Sequence, residues 1–221
     1  MCWVPEILTV SMPSHIVPSF SDMRKFKGVR AIHMQRINRI FNHPRLRKLL
    51  VKSRVFLGII FVALLFVYGR FELYYIAFGV SFLGELIQMW ASGSLEKNEI
   101  LTVRGPYSLI RNPMYLGRFL VIFGGILLLS NIYIILAYIV LFYFYMINRV
   151  KREENRLRGI FGEPYLDYCR EVNRFVPQFK IYAQGNLFFF RFQILLQNNE
   201  HLNFLALLCF YVAFYVWSRM R

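Results

Sequence analysis

The sequence predicts an all-α, polytopic integral membrane protein of about five transmembrane helices, and three observations predict it. The 221 residues are 57% hydrophobic and 18% aromatic, with a mean hydropathy of +0.42, above the roughly 45–50% apolar content of a soluble domain. The apolar residues are gathered into runs that approach or reach the roughly 20 residues a helix needs to cross a bilayer. The basic residues flank those runs: 27 Lys and Arg against 12 Asp and Glu give a net charge of +15, arranged in the positive-inside manner. On a soluble chain that balance would point to nucleic acid. Here it suits anionic lipid headgroups, and no nucleic-acid partner is expected. No period suggests an array, so one membrane-embedded unit is the expected organisation.

Residues 1–53 read as a basic cytoplasmic arm. Pro5, Pro13 and Pro18 break up its first part, and eleven Lys/Arg with no Asp or Glu follow from Arg24 to Arg54. Ile32, Ile37, Ile40 and Phe41 recur there at partly helical spacing, so the arm either lies on an anionic surface or is simply solvated. The first long apolar run begins only near Val55, and the first membrane helix is expected to direct insertion itself. Residues 55–69 give that first span. Arg70 and Glu72 make a polar break, and residues 73–93 give a second span containing Glu85 and Gln88. Glu85 is costly inside a span. It lines a cavity, pairs with a cation such as Arg118, or sits near the membrane edge.

Residues 119–147 carry no charge and are too many for one span at about 1.5 Å per residue. Ser130 and Asn131 split them near the middle. Arg111 and Arg118 precede the run while Arg149, Lys151 and Arg152 follow it, so both ends belong on one side. The expected result is a hairpin of helices near 113–130 and 132–150, with Pro113 in the first turn, where its missing N–H costs nothing. The arm, the loop 94–112 and the segment 148–200 then all face the cytoplasm. The membrane domain covers 54–180, ending in a connector at 151–180. An extension, 181–221, is expected to hold a last span at 202–217. Gly58, Gly124 and Gly125 are read as sites of tight helix packing, and residues 188–190 with Arg191 as an interfacial anchor or part of a lipid entrance. Cys2, Cys169 and Cys209 are scattered and the four histidines have no ligand spacing, so neither disulfide nor metal is expected.

Unusual polar patterns gather in two segments bracketing the hairpin. The first holds Gly105-Pro106-Tyr107 and then Arg111-Asn112-Pro113-Met114-Tyr115-Leu116-Gly117. The second holds Arg149 with Glu153-Glu154, then Phe161-Gly162-Glu163-Pro164-Tyr165, Tyr168, Val172 and Pro177. Arg149 and Glu153 stand four apart and share a helix face. On their own these patterns are better described by a capped, Arg-anchored helix entry for the first and a surface ion pair for the second than by a functional site.

Taken together and in order, they resemble the isoprenylcysteine carboxyl methyltransferase family and its phospholipid-methyltransferase relatives, over roughly residues 75–180. The resemblance implies an S-adenosylmethionine-dependent enzyme with its site at the cytoplasmic face. It implies that Glu99, Ile100, Leu101, Thr102, Tyr107, Asn112, Pro113, Met114, Tyr115 and Glu153 hold the cofactor, that Arg149 binds the substrate's reacting end, and that Gly117 permits a close approach. The implied acceptor is lipophilic, a prenylated substrate or small molecule drawn from the membrane, preferably through a carboxylate. Aromatic faces, a carboxylate and a few donors suit the cofactor's sulfonium, ammonium and carboxylate groups, and no Gly-rich soluble-methyltransferase fingerprint occurs. Many relatives have His where this chain has Asn112, which cannot titrate near neutrality. Another methyltransferase of this fold, a sterol-type membrane reductase using NADPH, and a non-enzymatic scaffold are the alternatives. The oligomeric state is left open.

Overall fold

A computed structural model describes residues 52–96, 100–178, 180–182 and 186–221. The basic arm lies outside these but for its last two residues, as does Glu99. All regular structure among the described residues is helical: α1 (Arg54–Tyr68), α2 (Tyr74–Ser94), a 3-10 turn (Gly105–Ser108), α3 (Pro113–Leu127), α4 (Ile132–Phe161), α5 (Glu163–Glu171), α6 (Phe192–Gln197) and α7 (Glu200–Met220). Val55, Phe56 and Ile59 on α1, Leu136, Val140 and Leu141 on α4, and Leu205, Val212 and Val216 on α7 are exposed. So broad an apolar exterior belongs against lipid.

The five long helices alternate in direction. Asn131 caps α4, its side chain accepting from the N–H groups of Tyr133 and Ile134 at 3.0 and 3.3 Å. Across the resulting hairpin, Phe119 meets Tyr138 and Phe142, and Tyr138 donates to the Phe119 carbonyl at 2.9 Å. The expected hairpin is therefore present, with both its ends at one end of the body. The other end gathers the turns, since Arg70 N–H donates to the Leu128 carbonyl at 2.7 Å. Helix α7 returns along α2: Tyr74 donates to the Tyr211 carbonyl and Tyr211 to the Ala77 carbonyl, each at 3.0 Å. The C-terminal cations lie at the turn end, where Arg219 covers the Phe71 ring at 4.6 Å and Arg221 donates to the Val67 carbonyl.

Packing of α2 on α3 sets where the site begins. A Cβ on Gly117 would come within 2.6 Å of the Gly84 carbonyl, and one on Gly84 within 2.7 Å of the Gly117 carbonyl. Gly124 is pressed against Ser81 and Ala77. Gly58 differs from expectation, because nothing lies within 4 Å of the Cβ it lacks. Gly117→Ala is expected to destabilise by about 1–3 kcal/mol through overpacking, read as a lower Tm in detergent, with Gly58→Ala as the harmless control.

Two differences from the sequence reading matter. Helix α4 does not end near residue 150; its 30 residues rise about 45 Å, against a hydrocarbon core of about 30 Å. The charged segment continues as helix because Lys, Arg, Glu and Leu are strong helix formers. It stops at Gly162, whose φ of +59° suits a residue without a Cβ. The aromatic run 188–190 is also more than an anchor: Phe190 fills the space over Gly93, Phe189 lies under Arg104, and Arg191 pairs with Glu96 at 3.1 Å. Phe188 alone stays fully outward.

Candidate active site

At the end of the body opposite the turns, the loop after α2, the start of α3, the projecting part of α4 and α5 enclose a cavity of about 340 Å³. Ile100, Leu101, Thr102, Tyr107, Asn112, Pro113, Met114, Tyr115, Arg149 and Glu153 all line it. Every sequence-derived site residue that the structure describes is thus brought to one place.

Local chemistry explains the convergence. Pro113 sits in the first turn of α3, which turns Asn112, Met114 and Tyr115 toward the cavity. From α4, Arg149 donates Nε–H to the Tyr115 hydroxyl at 3.1 Å, tying the two hairpin arms at the cavity mouth. Arg149 and Glu153 share a face but form no ion pair within 4.0 Å; Glu153 instead lies 3.8 Å from Arg156. The connector then closes the site: Tyr168 donates to the Tyr107 carbonyl at 2.7 Å, Arg111 N–H to the Asn173 carbonyl at 2.9 Å, Gln178 N–H to the Leu109 carbonyl at 3.0 Å, and Asn112 Nδ2 to the Arg174 carbonyl at 3.2 Å.

Glu154 has a different part. It is buried, accepts from both Arg174 Nε and Nη2, and has Arg111 Nη1 at 3.4 Å. Two guanidiniums hold its carboxylate, so it is the clamp between α4, the α3 entry and the connector. Burial pushes the Tyr107, Tyr165 and Tyr168 hydroxyls well above the ordinary phenol range, and they stay protonated at neutral pH. Of the groups that could deprotonate an amine acceptor, Glu153, Glu96 and Tyr115 remain in the wall. The cavity wall carries Arg111, Arg118, Arg149 and Arg156 against Glu96 and Glu153, a balance that favours an anion.

This arrangement can be set beside known proteins. The model of the phospholipid methyltransferase family matches residues 53–164, just over half of the chain. The chain belongs to the phospholipid methyltransferase family. Among curated proteins it is 31% identical over 80 residues to protein-S-isoprenylcysteine O-methyltransferase of Tribolium castaneum, covering 36% of this chain and 28% of that one. It is 30% identical over 81 residues to the protein of the same name in Schizosaccharomyces pombe, covering 37% and 34%. To protein-S-isoprenylcysteine O-methyltransferase B of Arabidopsis thaliana it is 29% identical over 82 residues, covering 37% and 42%. The matches thus span well under half of each relative's length. No solved structure matches the chain at a comparable level.

Within this family member, the cavity also takes in residues that sequence reasoning did not assign: Leu95, Glu96, Arg111, Arg118, Arg156, Leu157, Phe161, Tyr165 and Tyr168. A signal for some was available. Arg156 and Leu157 follow Arg149 and Glu153 at helical spacing, and would have been found had α4 been carried past residue 150. Phe161, Tyr165 and Tyr168 stood in the recognised motif without a role. Glu85 is placed elsewhere: it lines a second cavity together with Arg118, with no ion pair between them within 4.0 Å.

Proposed function

We propose that the chain is a multi-pass membrane methyltransferase that uses S-adenosylmethionine at the cytoplasmic face and methylates the carboxylate of a lipophilic, isoprenylcysteine-like acceptor. One observation carries the reading. Arg149 and Glu153 stand on one face of α4, opposite Tyr115, in the wall of a cavity built by all the motif-bearing segments. The donor set fits the cofactor: Tyr107 and Tyr115 offer ring faces to a cation, Glu153 and Glu96 offer carboxylates to its ammonium, and Asn112 and Thr102 offer hydrogen bonds. When bound, S-adenosylmethionine supplies a methyl group on a sulfonium, open to in-line displacement.

The chain's own work is then alignment and exclusion of water. An acceptor carboxylate is ionised at neutral pH and needs no base, which suits a wall where Tyr107, Tyr165 and Tyr168 stay protonated and a neighbouring Glu154 that is engaged by two arginines. Arg149 orients that carboxylate by a charge-assisted bond. Asn112 lines both this cavity and an apolar groove of about 240 Å³ between α3 and α4, formed by Leu116, Phe119, Phe142, Tyr143 and Met146 among others. A hydrocarbon tail in that groove would bring its polar end toward Arg149. A phospholipid or another small molecule as acceptor is the second reading, favoured by the family itself. The same membership weighs against a reductase.

Two tests follow. Tyr115→Ala and Glu153→Ala are expected to weaken binding of S-adenosylhomocysteine in isothermal titration, each by roughly tenfold for a lost charge-assisted or ring contact; unchanged affinity in folded variants would remove them from the cofactor site. For topology, single cysteines replacing Arg104 and Arg158, in a background without Cys2, Cys169 and Cys209, should label from the cytoplasmic side only. Labelling from opposite sides would overturn the five-span arrangement.

A further inference from the structure

We propose that a second cavity, inside the helical body, binds an amphiphile through a protonated amine held by Glu85. The cavity measures about 430 Å³ and is bounded by α1, α2, α3 and α7. Phe61, Leu65, Val121, Leu207 and Phe210 give it apolar walls, while Ser81, Glu85, Gln88, Arg118 and Asn203 supply its polar lining. Val62, at 41% exposure, lines it from α1, which puts part of its wall at the outer apolar surface of the body. Arg118 lines both cavities.

Glu85 is the reason to expect a ligand. It is 2% exposed, and its Oε2 accepts from Gln88 Nε2 at 3.0 Å. Its Oε1 is shielded and has no hydrogen-bond partner among the described residues. An ionised carboxylate so placed wants a cation. A protonated one would want an acceptor for its O–H. Either state leaves one bond unmade that an occupant could make. Arg118 also lines this cavity but forms no ion pair with Glu85 within 4.0 Å, so Oε1 is left to an occupant. An ammonium answers the charge and supplies up to three donors, where an alcohol supplies one and no charge. The aromatic walls at Phe61 and Phe210 suit both the cation and an attached chain. The proposal does not depend on what the cofactor cavity catalyses.

The test is native mass spectrometry of the full chain in maltoside micelles, with dodecylamine, dodecanol and dodecanoate as probes. Dodecylamine should give a saturable one-to-one adduct, weakened roughly tenfold or more in Glu85→Gln, which keeps shape and loses charge. Glu85→Asp should retain the adduct, and S-adenosylhomocysteine should neither displace it nor bind less tightly in either variant. Equal dodecylamine binding by the wild type and Glu85→Gln would overturn the proposal. So would displacement by dodecanol as readily as by amine, an outcome readable in the wild type even if Glu85→Gln fails to fold. Displacement by S-adenosylhomocysteine would place the amine in the cofactor cavity and equally overturn it.

Discussion

Arg149→Lys is expected to lower kcat/KM toward a carboxylate acceptor roughly ten- to a hundredfold, the loss of one charge-assisted bond made during transfer. Lysine keeps the charge but not the planar fork that grips a carboxylate at two points. Affinity for S-adenosylhomocysteine should change little, because the bond from Arg149 to Tyr115 at 3.1 Å is exposed and an exposed hydrogen bond contributes modestly. Tyr115→Phe separates the two effects. It removes that bond while leaving the guanidinium and the ring in place, so turnover should fall far less than in Arg149→Lys. Normal turnover in Arg149→Lys, or equal loss of cofactor and acceptor affinity, would make Arg149 only a strut between the hairpin arms.

What the sequence showed and what it hid divide along physical lines. Apolar runs announce helices, and the starts of α1, α2 and the hairpin were readable because Arg70, Ser130-Asn131 and Pro113 interrupt or open them. The end of α4 was not readable from hydropathy. The switch at Asn148 from apolar to charged residues marks where the helix leaves the apolar surroundings, not where it stops. Backbone propensity carries it on to Gly162. The short α6 has only six residues, too few for a periodic signal. The site residues were readable through their motif, whereas the Glu154 clamp was not. Its partners stand at Arg111 and Arg174, and an ion pair that closes a loop of such length leaves no local pattern. The face of α4 that carries Arg149 and Glu153 looked like a surface ion pair; in the folded chain the two residues turn to Tyr115 and Arg156 instead.

That clamp supports the remaining prediction. Glu154→Ala is expected to destabilise the protein by about 2–3 kcal/mol and to weaken cofactor binding at the same time. The Glu154 side chain is 8% exposed and that of Arg111 12%, so removing the carboxylate strands a largely buried cation, a change that costs about 3–5 kcal/mol when both charges are fully dry. The Arg174 side chain is 43% exposed and can turn to water, which places the effect below that range. The loss should reach the cofactor cavity through the backbone. Arg174 offers its carbonyl to Asn112, and Asn173 offers its own to Arg111; without the clamp, the connector holds the α3 entry less firmly. Thermal unfolding in detergent and titration with S-adenosylhomocysteine measure the two effects, and Glu154→Gln, which keeps shape and one acceptor, should fall between wild type and Glu154→Ala in both. A Glu154→Gln protein with normal Tm and cofactor affinity but no turnover would instead mark Glu154 as a base. That result would move the preferred acceptor from a carboxylate to an amine.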